Sequence, residues 1–272
     1  PWTTQEILTH EKAVLGFYVS SHPMDQFKDE LQRFSTITVA DIKELKSELE
    51  VVLGGMLTRV RPTFVKNGRS AGQKMAMITI EDKTGSIDGV IFSDAYAIAA
   101  PLLQGDAIVL LKGKVDRRRE EPNIIVNQVI PVRDAAAQLT QAVTIRLRNR
   151  PNPEAAATGA HPLTGYNGEF NQLKALLHQS RASNGNPSAQ VFFEVLDQGK
   201  RVRLRANGVR VGVDPELPAR IDTVMRTPGC CELLGAPKIS VAVNRVSAED
   251  EPQEKLVTQS AQSEFCDSID RY

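Results

Sequence analysis

Basic side chains recur at two-residue spacing in the first half of the chain. Arg59 and Arg61 form one pair, and Lys112 and Lys114 form another. Residues two apart in an extended strand project from the same face, so each pair presents two neighbouring positive charges. A phosphate backbone is the natural counter-charge for such pairs. The spacing therefore predicts contact with nucleic acid.

Two further basic clusters fall between the apolar runs, in residues 66–74 and 117–119. Residues 51–132 contain eleven Lys and Arg against eight Asp and Glu, and this small excess of positive charge is concentrated in the two clusters. If Asp88 faces solvent, strand parity turns Phe92 outward, where its ring could stack on a base. Two alternatives stay open: Phe92 packs under a following helix, and the cations only protect strand edges. The candidate nucleic-acid-binding residues are Arg59, Arg61, Lys66, Arg69, Lys74, Phe92, Lys112, Lys114, Arg117, Arg118 and Arg119.

Residues for catalysis or metal binding do not assemble from sequence neighbours. Cys230 and Cys231 are adjacent and Cys266 lies in a polar segment, which gives neither a disulfide framework nor a zinc site. The four histidines are scattered. We expect the acidic pair Glu81-Asp82 to shape a turn. The sequence thus predicts no catalytic residue, no metal and no cofactor in this chain, and the cysteine usage favours a reducing, cytoplasmic setting.

Five apolar segments with strand-like patterning would position the basic residues. Ala76, Ile78 and Ile80 alternate with more polar neighbours, and Asp82–Ser86 supplies a glycine-containing turn, so Met75–Phe92 is predicted to be a hairpin. The glycine pair Gly54-Gly55 inside the first strand predicts a bulge or tight bend. The other predicted elements are strands Val51–Val60, Ala107–Val115 and Asn123–Val132 and a short helix at Asp94–Leu103, with Ala95, Ile98, Ala99 and Leu102 at helical spacing.

Three strands, a helix and two more strands match the five-stranded Greek-key barrel known as the OB-fold. We assign this fold to residues 51–132 as a nucleic-acid-binding domain. The loops between the first two strands and between the last two flank the binding face of such a barrel, and both are basic here. The fold and the charge pattern therefore point to the same function.

A helical segment, residues 1–50, precedes the barrel. We predict helices at Glu11–Phe17, from Pro23 through Phe34 and at Val39–Leu45, with His22 capping the turn before the second. Glu11, Lys12, Leu15, Gly16, Tyr18, Ser20, His22 and Pro23 fit the pattern EK-x-x-LG-x-Y-x-S-x-HP. With Gly54-Gly55, the Glu81-Asp82 turn and Gly113-Lys114-Val115, this order resembles the C-terminal region of the bacterial DNA polymerase III alpha subunit.

The resemblance implies a noncatalytic part of a replicative DNA-directed DNA polymerase, with the metal-binding palm elsewhere in the parent protein. It implies that the barrel binds single-stranded template DNA. It also implies that the domain after the barrel docks a clamp-loader tau-type subunit and works with the rest of the polymerase chain in the replisome. Two alternatives stay open: the anticodon-binding barrel of a class II aminoacyl-tRNA synthetase, and a protein-interaction scaffold without nucleic-acid binding.

The remaining sequence predicts an α+β multidomain chain. After the connector 133–142 we expect a small α+β interaction domain at 143–246, with a strand at Val143–Arg148, a helix at Glu169–His178 and a loop between them. Arginines 201, 203 and 205 would share one strand face and meet an acidic partner, nucleic acid or solvent. Residues 247–272 have too little apolar surface to fold alone, so a disordered acidic tail is expected. No apolar run approaches the about twenty residues that a membrane span needs, and no membrane contact is predicted. The domain's remaining predicted elements are strands at Gln190–Leu196, Arg201–Ala206, Cys231–Leu234 and Ile239–Val243 and a helix at Pro215–Met225.

Overall fold

A computed structural model of the 272-residue chain describes residues 11, 14–15, 22–45, 48–68, 70–118, 120–148, 166, 168–180, 187–197 and 200–240. Most of the predicted helix Glu11–Phe17, most of the loop 149–168 and all of the predicted tail 247–272 lie outside the described residues.

The segment before the barrel contains a 3₁₀ turn, Pro23–Phe27, and two helices, α1 (Lys28–Phe34) and α2 (Val39–Glu44). The helix predicted from Pro23 to Phe34 is therefore two elements. His22 caps the first as predicted, because its Nδ1 accepts a hydrogen bond from the Met24 amide at 3.3 Å. Thr38 begins α2 with a capping box, in which its hydroxyl accepts from the Asp41 amide at 3.2 Å.

Five strands close into a barrel in the order β1-β2-β3-β5-β4, which confirms the predicted OB-fold. β1 pairs with β4 through its first half and with β2 through its second half, and this change of partner closes the sheet. The elements are β1 (Glu50–Phe64), β2 (Lys74–Asp82), β3 (Gly85–Ile91), α3 (Ser93–Ala99), β4 (Ile108–Asp116) and β5 (Asn123–Pro131).

The bulge in β1 lies between Leu57 and Arg59 and not at Gly54-Gly55, where the sequence predicts either a bulge or a tight bend. The glycines serve close approach instead. A Cβ atom on Gly55 would overlap the carbonyl oxygen of Glu81, and one on Gly54 would overlap Ser35 of the segment before the barrel. Gly55 immediately precedes Met56, where β1 passes from β4 to β2, so the backbone crosses its neighbours there without room for a side chain.

The predicted hairpin is confirmed, with Ala76, Ile78 and Ile80 buried in the barrel core. Asp82 shapes the turn, since its Oδ1 accepts hydrogen bonds from the Thr84 and Gly85 amides at 2.7 and 3.1 Å. Its other oxygen accepts from the Val39 amide at 2.8 Å. One carboxylate therefore forms the turn and fixes the start of α2 against it.

Helix α3 departs from the predicted apolar stripe at one position. Ala99 is buried and Ala95 and Leu102 pack on the barrel core, but Ile98 is 81% exposed. Ile98 lies within the α-helix, whose core-facing positions are Ala95 and Ala99, four residues apart, and Ile98 lies outside that stripe.

The second unit has the predicted α+β plan. A 3₁₀ turn (Val132–Asp134) and α4 (Ala135–Leu139) lead into a four-stranded sheet of order β8-β7-β6-β9, in which β6 and β7 are parallel. The elements are β6 (Ala142–Leu147), α5 (Glu169–Gln179), β7 (Ala189–Asp197), β8 (Lys200–Val211), α6 (Leu217–Val224) and β9 (Cys231–Leu234). The core lies between one sheet face and the two helices, with Val143, Val191, Leu173 and Ile221 among its members.

Two details of this unit differ from expectation. Thr144 alternates with the core residues Val143 and Ile145 of β6 and is nevertheless buried, and its hydroxyl lacks a hydrogen-bond partner among the described residues. Ile239, predicted to begin a strand, is not in a strand, and 241–243 lie outside the described residues. Instead, the Ile239 amide donates to the Thr36 carbonyl at 2.7 Å, and Lys238 donates to the carbonyls of Gln32 and Ser35. Burial lowers the pKa of Lys238, yet its ammonium caps the end of α1 and ties the sheet to the first segment.

Candidate nucleic-acid interface

The bulge in β1 turns a buried strand into an exposed basic one. Residues 51–57 are buried, whereas Arg59 and Arg61 beyond the bulge are exposed, and Val60 between them packs towards the barrel core. Arg59 lies opposite Thr79 and Arg61 opposite Met77 on β2. The two guanidinium groups therefore share the outer face of the β1-β2 ribbon, as their spacing predicts.

The strand register carries this face across the barrel. Arg61 lies opposite Met77, Met77 opposite Val90, Val90 opposite Ile125, and Ile125 opposite Lys114. Met77 is exposed, and Val90 and Ile125 are half-buried. Two of the predicted basic residues thus stand at the ends of one row, with an accessible apolar strip between them.

The loop between β1 and β2 extends the ribbon. The Val65 amide donates to the Gln73 carbonyl and the Gly72 amide to the Val65 carbonyl, both at 2.9 Å. These hydrogen bonds continue the pairing of β1 with β2 into the loop. Phe64 is 58% exposed and lies opposite Lys74. Lys66 and Lys74 are exposed, while Arg69 lies outside the described residues.

Phe92 follows the last residue of β3 and is 46% exposed. Asp88 also faces solvent, where its carboxylate accepts a hydrogen bond from the Thr79 hydroxyl at 2.6 Å. Parity along β3 therefore places Asp88, Val90 and Phe92 on the outer face, on the side of the barrel that carries Arg61. The exposure of the Phe92 ring agrees with the predicted outward orientation. The backbone carbonyl of Phe92 accepts a hydrogen bond from the Tyr96 amide in α3.

Three of the predicted cations on the β4-β5 side, Lys114, Arg117 and Arg118, are engaged within the protein. Lys114 Nζ lies 2.7 Å from the Glu48 carboxylate. Arg118 binds both oxygens of Asp116 at 2.9 Å, and this hydrogen bonding raises the pKa of Arg118. Arg117 donates to the Ile42 carbonyl at 3.2 Å and to the Lys43 carbonyl at 3.4 Å, which caps the last turn of α2. Arg119 lies outside the described residues.

The predicted basic residues therefore fall into two groups, those bound to other groups of the protein and those that extend into solvent. In the part of the chain that the structure describes, no carboxylate lies within ion-pair distance of Arg59, Arg61, Lys66 or Lys74. Lys112 is also exposed, but it lies opposite Val52 and Gln128, and Gln128 contacts Gln138 of α4. It is thus on the side of the barrel where α4 packs. Phe64 and Met77 were not among the predicted site residues. Met77 shares the outer face with Arg61, and alternation along β2 was the signal available for it, whereas Phe64 has the parity of Val60 and lies on the other face of the ribbon.

The described residues contain no group of three His, Cys, Asp or Glu side chains arranged to hold a metal ion. Burial raises the pKa of Cys230 and of Cys231 to about 12, so both thiols stay protonated at neutral pH. Cys230 instead donates to Asp222. No helix in the described ranges is long and apolar enough to span a membrane.

Comparison with known protein families defines the class of the barrel. The family described as OB-fold nucleic acid binding domain matches residues 51–132, the limits assigned from the sequence. The chain therefore contains a domain of the OB-fold nucleic-acid-binding class.

Comparison with curated proteins confirms the more specific resemblance to DNA polymerase III subunit alpha. The chain is 30% identical to that protein of Aquifex aeolicus over 177 residues, which is 64% of this chain and 14% of the relative. It is 33% identical to the Pseudomonas fluorescens protein over 150 residues, 54% of this chain and 12% of the relative. The chain thus spans a small part of the length of these relatives.

Among solved structures, asparaginyl-tRNA synthetase from Pyrococcus horikoshii is 11% identical, with 59% of this chain and 47% of that chain covered. Its TM-score is 0.28, which carries no functional argument.

Proposed function

We propose that this chain is a noncatalytic part of a replicative DNA polymerase of the DNA polymerase III alpha type, and that its barrel binds single-stranded template DNA. The proposal rests on one observation above all: Arg59, Arg61, Lys66 and Lys74 stand exposed on one ribbon of an OB-fold, and no carboxylate of the described residues lies within ion-pair distance of them. The polymerase resemblance selects DNA replication as the setting.

The geometry suits a single strand better than a duplex. Arg59 and Arg61 supply a track for the phosphates on the outer face of the ribbon, and Phe92 supplies an exposed ring for stacking a base. Phe64 supplies a second exposed ring at the end of the ribbon, on its other face together with Lys74. Met77 and the half-buried Val90 and Ile125 offer an apolar surface between the charged ends of the row. Such a surface makes few base-specific hydrogen bonds, so binding is tolerant of sequence.

In this proposal the α+β unit docks replisome partners, among them a clamp-loader tau-type subunit, and the chain works with the rest of the polymerase in the cytoplasm. The residues described offer no catalytic set, so nucleotidyl transfer is assigned to other parts of the parent protein. The role of the α+β unit rests on the resemblance alone.

Titration of labelled oligo-dT and of a tRNA anticodon stem-loop into the chain tests the proposal. Four phosphate contacts predict a slope of about −2.8 in log K against log salt, hence about 50-fold weaker oligo-dT binding at 200 mM than at 50 mM salt. Preference for the stem-loop would favour the synthetase alternative. Binding of neither ligand at low salt would leave a protein-interaction scaffold and overturn DNA binding.

A further inference from the structure

The sheet of the α+β unit has a face on which none of the described helices packs. Val191, Phe193 and Val195 point into the core with α5 and α6, so their neighbours Phe192, Glu194 and Leu196 point to the opposite face. Leu196 is 58% exposed. This outer face is therefore exposed on the β8 side of the sheet, whereas Thr144 of β6, opposite Phe192, is buried.

Arginines dominate the outer face. The register places Arg205 opposite Phe192, Arg203 opposite Glu194 and Arg201 opposite Leu196. Because residues two apart in a strand are separated by about 7 Å, the three side chains form a ladder of positive charge along β8. Arg146 of β6 lies opposite Glu194 on its other side.

The carboxylate of Glu194 organises part of this ladder. It is 15% exposed and lies 3.1 Å from Arg146 Nε and 3.4 Å from Arg201 Nε. Glu232 of β9 also contacts Arg146. These acids are therefore occupied in holding two guanidinium groups in place.

Arg203 and Arg205 have no carboxylate partner among the described residues. The Arg203 guanidinium stacks on the Phe192 ring, 4.1 Å from its centroid, and Arg205 Nε lies 3.4 Å from Asn207 Oδ1. The ring holds one planar face of Arg203 and leaves the other face outward. The net charge presented to solvent at this end of β8 is thus positive.

We propose that this outer face is a second single-stranded nucleic-acid contact surface, separate from the barrel. Guanidinium groups match phosphate oxygens with two parallel donors, and a guanidinium plane is itself a stacking surface for a base. A four-stranded sheet with an aromatic residue on its open face is also an established platform for single strands. A ladder of regularly spaced cations suits a polymer that repeats its negative charge.

The edge of β8 argues against an acidic peptide that pairs with it as an added strand. The pairing of β7 with β8 is irregular between Gln190 and Phe192, where residues 206–209 bulge out of β8. Gln190 fixes the bulge through hydrogen bonds to the carbonyls of Ala206 and Val209 at 2.9 and 3.3 Å, and Gly208 has φ 72°. A bulge of this kind interrupts the row of backbone hydrogen bonds that an added peptide strand would need. A ligand lying across the sheet face avoids the bulge.

The test uses the full chain and a labelled oligo-dT of about 30 nucleotides, long enough for two surfaces. The variant is R203Q/R205Q, and the control R133Q/R220Q removes the same charge from two exposed arginines elsewhere, which pair with Asp134 and Asp214. We expect oligo-dT to bind R203Q/R205Q about 5- to 10-fold more weakly, with a salt slope shallower by about 1.4, and the control within about 2-fold of the parent. R203K/R205K keeps the charge without the planar fork, and we expect an intermediate affinity.

Repeating the comparison in an R59Q/R61Q background separates this surface from the barrel. An R203Q/R205Q loss there supports the second surface even if the barrel residues prove silent. Equal oligo-dT affinity of R203Q/R205Q and its control in both backgrounds would overturn the proposal. Protection of the β8 edge would then be the remaining role for these arginines. Loss of poly-glutamate binding with oligo-dT binding unchanged would also overturn it, because the face would then dock an acidic protein segment. Thermal unfolding of each variant checks that the fold is retained.

Discussion

The two basic regions of the barrel look alike in sequence and differ in their electrostatics. On the β1-β2 ribbon, Arg59, Arg61 and the flanking lysines extend into solvent without carboxylate partners among the described residues. On the β4-β5 side, Arg117 caps a helix and Arg118 is held by Asp116. Positive charge alone therefore does not mark a binding surface.

The difference follows from what lies beside each region. Helix α2 covers one end of the barrel, with Val39 and Ile42 in the core, and its last carbonyls need donors. The β4-β5 loop is close enough for Arg117 to supply them. The β1-β2 ribbon extends past the bulge, and its cations contact no carboxylate or helix-end carbonyl among the described residues, so they stay available for a ligand.

Removing two arginines from each region should give the largest contrast. We expect R59Q/R61Q to weaken oligo-dT binding by about 2 kcal/mol, or ~30-fold, because two phosphate contacts are lost. The slope of log K against log salt should become shallower by about 1.4. Fluorescence anisotropy at several salt concentrations measures both quantities.

R117Q/R118Q is the matched control, since it removes the same charge from the same barrel. We expect its oligo-dT affinity to fall by less than about 3-fold, because these side chains already have partners. If both double variants lose affinity equally, the binding surface includes the β4-β5 loop and the contrast between the regions fails.

Stacking should provide a smaller effect with a different dependence on salt. Replacing Phe64 or Phe92 by alanine is expected to weaken oligo-dT binding by about 1 kcal/mol, or ~5-fold, the low end for a base on a half-exposed ring. The loss should be the same at low and high salt, because no phosphate contact changes. Ile98→Ala serves as the control, since Ile98 is the most exposed apolar residue of α3. Salt-dependent losses at Phe64 and Phe92 would show that the rings only position neighbouring cations.

The fold followed from local pattern to a large extent. Alternation at Ala76, Ile78 and Ile80 and the Asp82 turn predict the hairpin, because strand periodicity and turn chemistry are short-range properties. The site of the β1 bulge was not predictable in this way. Gly54 and Gly55 are required by contacts with Ser35 and Glu81, which are distant in sequence, and a glycine pair has the same sequence signature in both cases.

The candidate site followed from the sequence only in part. Spacing correctly placed Arg59 with Arg61 on one exposed face. It gave no means of knowing that Arg117 would reach Ile42, a residue 75 positions away, or that Glu48 would approach Lys114. Long-range pairing decides which cations remain available, and one sequence does not encode that pairing in any local period.

Substitutions in the β4-β5 loop should lower the free energy of unfolding more than substitutions on the β1-β2 ribbon, the reverse of their expected order for oligo-dT binding. Arg117→Ala removes two hydrogen bonds to the end of α2, and we expect the free energy of unfolding to fall by about 1–2 kcal/mol. Lys66→Ala removes an exposed cation and should change it by less than about 0.5 kcal/mol. Urea denaturation of the full chain measures both. Equal stability of the two variants would show that the Arg117 contacts contribute nothing, and Arg117 would return to the candidate binding residues.

The smallest expected effect is on the pH dependence of the thermal midpoint, and it contrasts Lys83 and Lys74, the cations at the two ends of β2. At the turn that follows β2, Lys83 pairs with Asp25 and, through that hydrogen bond, holds the pKa of Asp25 below its ordinary value of 3.8. A depressed carboxyl pKa contributes stability above the unfolded-state pKa, and the contribution disappears as the pH falls through the folded-state pKa. Lys83→Gln should therefore lower the thermal midpoint slightly at neutral pH, and the difference from the parent should vanish as the pH falls through the folded-state pKa of Asp25. Lys74→Gln, at the opposite end of β2 and without a carboxylate partner in the described part of the chain, should show no such convergence. A pH-independent Lys83→Gln difference would mean that Lys83 acts by packing, and the contrast between engaged and available cations would then not extend to this turn.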